Sequence, residues 1–214
     1  MADYGKPDYW QLKARNEGYP ARSVYKLAEM DKKFGLLKNP LTGKHPRTQN
    51  PRILDLGAAP GSWSLYVLRK INSRGSLVSV DLSPLSREYD KGLFDNGNFF
   101  FLQGDITVEA IKREIQARGP YSLLLSDAAP ATTGNRSIDT ARSVELAETV
   151  LAYAESSLAE GGSMALKVFQ GGDAASLLKR IKQLFNIGRS FKPDACRSES
   201  FETYYIGMGK KNNL

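Results

Sequence analysis

The sequence has one cysteine, Cys196, and one histidine, His45. A lone cysteine excludes a disulfide within the chain and suits a reducing compartment. With one residue of each type, the common zinc sites and a serine–histidine–aspartate triad are disfavoured. No metal ligands are assigned. Long apolar runs are missing as well: no segment reaches the roughly 18 apolar residues of a membrane span. Met1–Trp10 is polar and lacks the apolar centre of a signal peptide. These absences point to a cytoplasmic protein with no membrane partner.

What is present fits a globular enzyme. The 214 residues suit one α/β domain. Apolar residues make up 41% and charged residues 25%, near globular averages, so disorder is not the expectation. The formal net charge of +7 favours a polyanionic partner such as nucleic acid.

Val24, Leu27 and Met30/Asp31 predict a helix over Tyr19–Lys38, with Gly35 near its end. Asn39–Arg52 is rich in turn formers and reads as a loop, either an RNA-contact insertion or a tolerated surface loop. Strands are predicted at Ile53–Leu56, Leu77–Leu82, Asn98–Gln103, Ser122–Leu125 and Ser163–Phe169. Helices are predicted at Ser62–Ile71, Val108–Arg118, Asp139–Leu158 and Ala174–Phe185, with Gly161-Gly162 stopping the third. Arg189–Phe191 and Thr203–Met208 can close as an antiparallel hairpin. This alternation predicts an α/β, doubly wound and mostly parallel sheet with helices on both faces.

In such a sheet, ligands bind outside the C-terminal strand ends. The first strand runs into Asp55-Leu56-Gly57-Ala58-Ala59-Pro60-Gly61-Ser62-Trp63. Small residues let backbone approach a ligand closely. The loop lacks the Gly-x-Gly-x-x-Gly spacing that brings a helix N-terminus to a pyrophosphate, and Pro60 sits inside the turn. A nucleoside without a pyrophosphate fits better, which disfavours a nicotinamide oxidoreductase. Asp81 can accept ribose hydroxyls from the end of the second strand, and Asp105 an adenine amino group after the third. The alternative is that these acids cap the helices that follow, and the nearby Thr107 gives that reading more weight at Asp105 than at Asp81.

Five segments in order resemble the FtsJ/RrmJ family of ribose 2′-O-methyltransferases. They are Ala21–Leu27, Asp55–Trp63, Ser126–Pro130, Leu166–Gly171, and Lys192-Pro193-Asp194 followed by Glu202 and Tyr204. The resemblance runs from about Tyr19 to Met208. It implies a Rossmann-like methyltransferase fold, a seven-stranded sheet whose last strand is antiparallel. It also implies one methyltransferase domain, with residues 1–38 as an RNA-facing helical segment, 39–52 as a loop and 53–208 as the catalytic core. The implied cofactor is S-adenosyl-L-methionine, contacted by Gly57, Gly61, Trp63, Asp81, Asp105 and Asp127. The implied catalytic tetrad is Lys26, Asp127, Lys167 and Glu202, with Glu199 a nearby competitor for the last place. Ala131-Thr132-Thr133-Gly134, after Pro130, departs from the better-known members in a stretch that faces the RNA.

The chemistry agrees with these residue types. Methyl transfer from a sulfonium is an in-line displacement, so positioning supplies much of the rate. A ribose hydroxyl must lose its proton, and a lysine takes it only when neutral. A second ammonium, such as Lys26, favours that neutral form in Lys167. For each charged residue alone, the competing reading is a surface ion pair.

RNA phosphates would be met by Arg22, Lys32, Lys33 and Lys38, with Lys13, Arg15 and Lys26 nearby. Tyr9, Trp10, Tyr19 and Tyr25 could stack on bases, or else belong to the core. The chain resembles the ribosomal branch of the family most, so the expected substrate is a uridine of 23S ribosomal RNA in the large subunit. Transfer RNA is the alternative substrate, and a non-catalytic RNA-binding assembly factor is the alternative class. A monomer is expected.

Overall fold

The computed structural model describes residues 8–38, 50–197 and 199–212. Most of the predicted loop 39–52 lies outside them. The described residues form a seven-stranded sheet in the order β3-β2-β1-β4-β5-β7-β6. Its strands are β1 (Arg52–Leu56), β2 (Ser76–Asp81), β3 (Phe99–Gln103), β4 (Tyr121–Ser126), β5 (Leu158–Phe169), β6 (Phe185–Phe191) and β7 (Glu202–Lys210). Neighbours pair parallel from β3 to β5, and β7 runs antiparallel to both β5 and β6. The helices are α1 (Tyr9–Asn16), α2 (Val24–Phe34), α3 (Ser62–Ile71), α4 (Glu109–Ala117), α5 (Arg136–Ser157) and α6 (Ala174–Leu184).

Side-chain alternation along the strands divides the core. Leu54, Leu124, Leu166 and Val168 pack with α4, α5 and α6 on one face. Ile53, Leu123, Ala165 and Tyr204 pack with α2 and α3 on the other. Strand order reverses between β1 and β4, the switch point where open α/β sheets take ligands. None of the described helices is long and apolar enough to cross a membrane.

Three expectations change. The helix predicted from Tyr19 begins at Val24, because Pro20 disfavours helical backbone in the residue before it. The turn ahead of α2 hangs on Ser62, whose hydroxyl accepts from the Ala21 N–H at 2.8 Å and donates to the Ala21 carbonyl at 3.1 Å. Second, α1 precedes that turn, and its N-terminus is capped by Asp8 accepting from the Gln11 N–H at 2.9 Å. Third, Gly161-Gly162 do not stop the long helix. It ends at Ser157 and the chain enters β5 directly. The glycines sit where the β4–β5 register shifts, with Gly161 at φ +76°, so they form an irregularity inside the strand.

Candidate functional site

Two clefts open at the C-terminal end of the sheet, and a buried cluster of charges joins them. The first, about 280 Å³, lies over β1–β3 and is lined by Gly57, Asp81, Leu82, Asp105, Ile106 and Asp127, among others. Its lining includes three carboxylates and no lysine or arginine. Gly57 has φ +76°, and a Cβ there would meet the Ala128 backbone at 2.5 Å, so only glycine lets the two loops close together.

Both Asp81 oxygens already hold backbone N–H groups, Oδ1 that of Ser83 at 2.8 Å and Oδ2 that of Ala59 at 2.9 Å. Each carboxylate oxygen has a further lone pair for a ligand hydroxyl. Asp105 takes the N–H and hydroxyl of Thr107, both at 2.8 Å, which holds its carboxyl below the usual range. These bonds close a turn ahead of α4, whose N-terminus has no side-chain cap, so the capping reading of Asp105 is not realised, and the residue faces the cleft. Gly61 and Trp63 are not part of the lining. Gly61 turns the chain into α3 at φ +107°. Trp63 is buried in the core, donating to the Ser23 carbonyl at 2.8 Å.

The second cleft, about 600 Å³, is lined by Lys26, Lys167, Glu202, Arg136, Phe169 and Phe201, among others. β5 and β7 deliver its charged groups. Lys167 pairs across the ladder with Tyr204, and Phe169 with Glu202, so these four side chains share one face. Lys26 reaches the same place from α2.

Lys167 Nζ lies 3.1 Å from Asp127 Oδ1 and also donates to the Asp127 carbonyl. Lys26 Nζ lies 2.8 Å from Glu202 Oε1. The Tyr204 hydroxyl donates to Asp127 Oδ1 at 2.6 Å. Burial works against the Lys26 ammonium, but Asp127 and Glu202 outweigh it and hold its pKa above the ordinary value. Burial likewise works against the Asp127 carboxylate, but Lys167, Lys26 and Tyr204 overcome it and hold the carboxyl below its usual range. Asp127 lines the first cleft, while Lys26, Lys167 and Glu202 line the second. The four predicted tetrad residues thus form the seam between the two.

Sequence reasoning missed three supports of this seam. Tyr204 was read only as a motif position, yet its hydroxyl fixes Asp127. Glu29 accepts from the N–H groups of Asp194 at 2.7 Å and Ala195 at 3.0 Å, tying the segment after Lys192-Pro193 to α2. Asp55 is fully buried on β1, with Oδ2 accepting from the Ser64 hydroxyl at 2.7 Å and Oδ1 without a hydrogen-bond partner among the described residues. Burial pushes its carboxyl up to about 7, aided by the negative charges of Asp127 and Asp81.

The basic segment divides. Lys32, Lys33 and Lys38 are exposed, Lys33 with Nζ 4.4 Å from the Phe191 ring centroid. Arg22 is instead held inside the fold, paired with Asp8 and donating to the Ala195 carbonyl at 2.6 Å. Of the aromatics proposed to stack on RNA, Tyr25 is buried against Trp10, and Tyr19 packs under Arg69. Tyr9 is 70% exposed, with its ring in edge contact with Trp10.

The model of the FtsJ-like methyltransferase family matches residues 19–210. A Treponema denticola protein named ribosomal RNA large subunit methyltransferase E is 51% identical over 209 residues, covering 97% of each chain. A protein of the same name from Oleidesulfovibrio alaskensis is 43% identical, over 95% of this chain and 92% of its own. Among solved structures, a Plasmodium falciparum protein described as a ribosomal RNA methyltransferase superposes with a TM-score of 0.73 at 25% identity. That match covers 91% of this chain and all of the other. With the motifs, the sheet order and the joined charges already in place, these matches establish that the chain belongs to the FtsJ-like methyltransferase family.

Proposed function

We propose that the protein transfers the methyl group of S-adenosylmethionine to a ribose 2′-OH of large-subunit ribosomal RNA, at a uridine of the 23S molecule. The observation that carries this reading is the seam: a carboxylate-lined cleft and a basic cleft meet at Asp127 and Lys167. The first cleft suits the cofactor by its charge. A sulfonium ligand is attracted by Asp81, Asp105 and Asp127, whereas a pyrophosphate would meet three negative charges and no lysine or arginine. Bound there, S-adenosylmethionine supplies an electrophilic methyl group.

This chain's residues do the rest. Lys167 accepts the proton of the 2′-OH. Lys26, whose pKa is held high, stays an ammonium and is unsuited to be the base. Asp127 aims Lys167 from the cofactor side, and Glu202 aims Lys26. The Tyr204 phenol keeps its proton, because burial and the Asp127 and Glu202 charges push its pKa well above 10. It therefore serves as a donor. Exposed Lys32, Lys33 and Lys38 extend the positive surface for phosphate contacts.

The test is methyl transfer from labelled S-adenosylmethionine to unmethylated large subunits and to bulk transfer RNA, followed by nucleoside mass spectrometry. A 2′-O-methyluridine in 23S RNA is expected. Labelling of transfer RNA alone would overturn the substrate, and labelling of neither would overturn the activity.

A further inference from the structure

The basic cleft carries an aromatic wall that the proton chemistry does not use. Phe169 follows Lys167 by two residues on β5, so both side chains point to the same face, with Cα atoms roughly 7 Å apart. Phe201, just before Glu202, meets Phe169 edge to face, with centroids 4.7 Å apart. The Phe201 carbonyl accepts from the Gln170 N–H at 2.8 Å, which fixes its backbone beside β5. The Arg136 guanidinium lies 5.3 Å from the Phe201 ring centroid. Arg136 is exposed, Phe201 is half-buried and Phe169 is buried behind it.

A wall that only closed the core would be covered. Here Phe169 closes the gap and Phe201 lines the cleft, with the Arg136 guanidinium over its ring. Both line the space that contains Lys26, Lys167 and Glu202. Single-stranded RNA is held by aromatic rings and guanidinium planes on which unstacked bases lie, while arginine also pairs with phosphate. In a nucleotide the base is one glycosidic bond from the ribose. A base on Phe201 therefore places its own ribose toward Lys167.

We propose that Phe201, backed by Phe169 and flanked by Arg136, stacks on the base of the nucleotide to be methylated and so brings its 2′-OH to Lys167. The inference rests on the RNA methyltransferase reading above. It makes Phe201 a substrate-binding residue and requires the target base to leave its stack in the RNA. A π-face accepts any base, so the wall supplies position, and the choice of nucleotide falls to RNA shape.

The experiment is single-turnover methylation of unmethylated large subunits at saturating S-adenosylmethionine, as a function of subunit concentration. Phe201→Leu keeps apolar volume and loses the ring; Phe201→Tyr keeps the ring. Phe201→Leu is expected to lower the ratio of maximal rate to half-saturating subunit concentration about tenfold to a hundredfold. Phe201→Tyr should stay within about threefold of wild type by the same stacking scale. Calorimetric affinity for S-adenosylmethionine and the melting temperature should be unchanged in both. A leucine variant as efficient as wild type would overturn the platform, as would a folded tyrosine variant as slow as the leucine one. No transfer by the wild type would overturn the methyltransferase reading, and the platform with it.

Discussion

The cleft over β1–β3 and the cleft beside β5 and β7 share one end of one sheet, yet their chemistry is opposite. The first is lined by small residues and three aspartates, with no lysine or arginine. The second gathers Lys26, Lys167, Arg22, Arg136 and Arg197 with two phenylalanines, so its cations outnumber the carboxylates of Asp139, Glu199 and Glu202. A cationic cofactor and an anionic RNA are thereby sorted before either is recognised in detail. The opposite charges are not walled apart. Asp127 and Lys167 touch, so the boundary between the clefts is an ion pair, and in the proposed reaction the methyl group passes over it.

Breaking the boundary should have the largest effect. Asp127→Asn removes the first-cleft carboxylate that pairs with Lys167 of the second and leaves Lys167 buried without its counter-charge. Removing one partner of a buried pair typically costs about 3–5 kcal/mol of stability. Transfer should be lost and cofactor affinity weakened together. Asp81→Asn, by contrast, should weaken the cofactor and spare RNA affinity. Chemical denaturation, calorimetry and RNA binding on the two variants separate these outcomes; RNA binding lost equally in both would erase the distinction between the clefts.

The next effect lies under the acidic cleft. Folded Asp55 keeps its proton up to about pH 7, while the ordinary carboxyl value is 3.8. The folded state thus binds an extra proton between those values. That contribution is full below about pH 4 and is lost as pH rises through 7. Asp127 is shifted the opposite way, so its own loss falls below pH 3.8. The two windows do not overlap. Asp55→Asn should remove the decline, so that the stability of wild type relative to the variant falls by roughly 2–4 kcal/mol between pH 4.5 and 8. Urea unfolding at several pH values reads this directly, and parallel curves for the two proteins would refute it.

Tyr204→Phe should act more mildly, on the seam alone. It deletes a buried donor to Asp127, worth about 1 kcal/mol, or roughly a fivefold to tenfold slower transfer. Cofactor affinity should barely move. The smallest effect is expected on the exposed face of α2. Reversing Lys32 and Lys33 to glutamate should flatten the log–log salt dependence of RNA binding by about 1.5 to 2, because fewer counterions are released. Arg22 is a poor choice for that test, since its charge already holds Asp8 and the Ala195 carbonyl.

The contrast between the clefts also marks what could be read from the chain. Residues that follow a strand end were legible, because an apolar run stopping at Gly57, Asp81, Asp105 or Asp127 is a local signal. Lys167 was legible because a lysine in the apolar run Leu166–Phe169 needs a partner. The side chains that join distant segments were not. Nothing near Glu29 says that it will hold Asp194, 165 residues away. Trp63 lies in the glycine-rich motif, but α3 turns it inward to Ser23. Arg22 looked like one basic residue among several until Asp8 was placed beside it. Pro20 and Asp8 were local signals that were available: the first delays α2 and the second starts α1.

If Lys167 is the base at the seam, Lys167→Arg should stop transfer. Arginine keeps the positive charge next to Asp127 but cannot give up its proton at usable pH. Single-turnover transfer to unmethylated large subunits should be measured beside calorimetric S-adenosylmethionine binding on the same preparations. The account predicts binding near that of wild type with transfer reduced by about 10²–10⁴, the usual contribution of a general base. Near-normal transfer by the arginine variant would contradict it and leave Lys167 with only a charge-holding role.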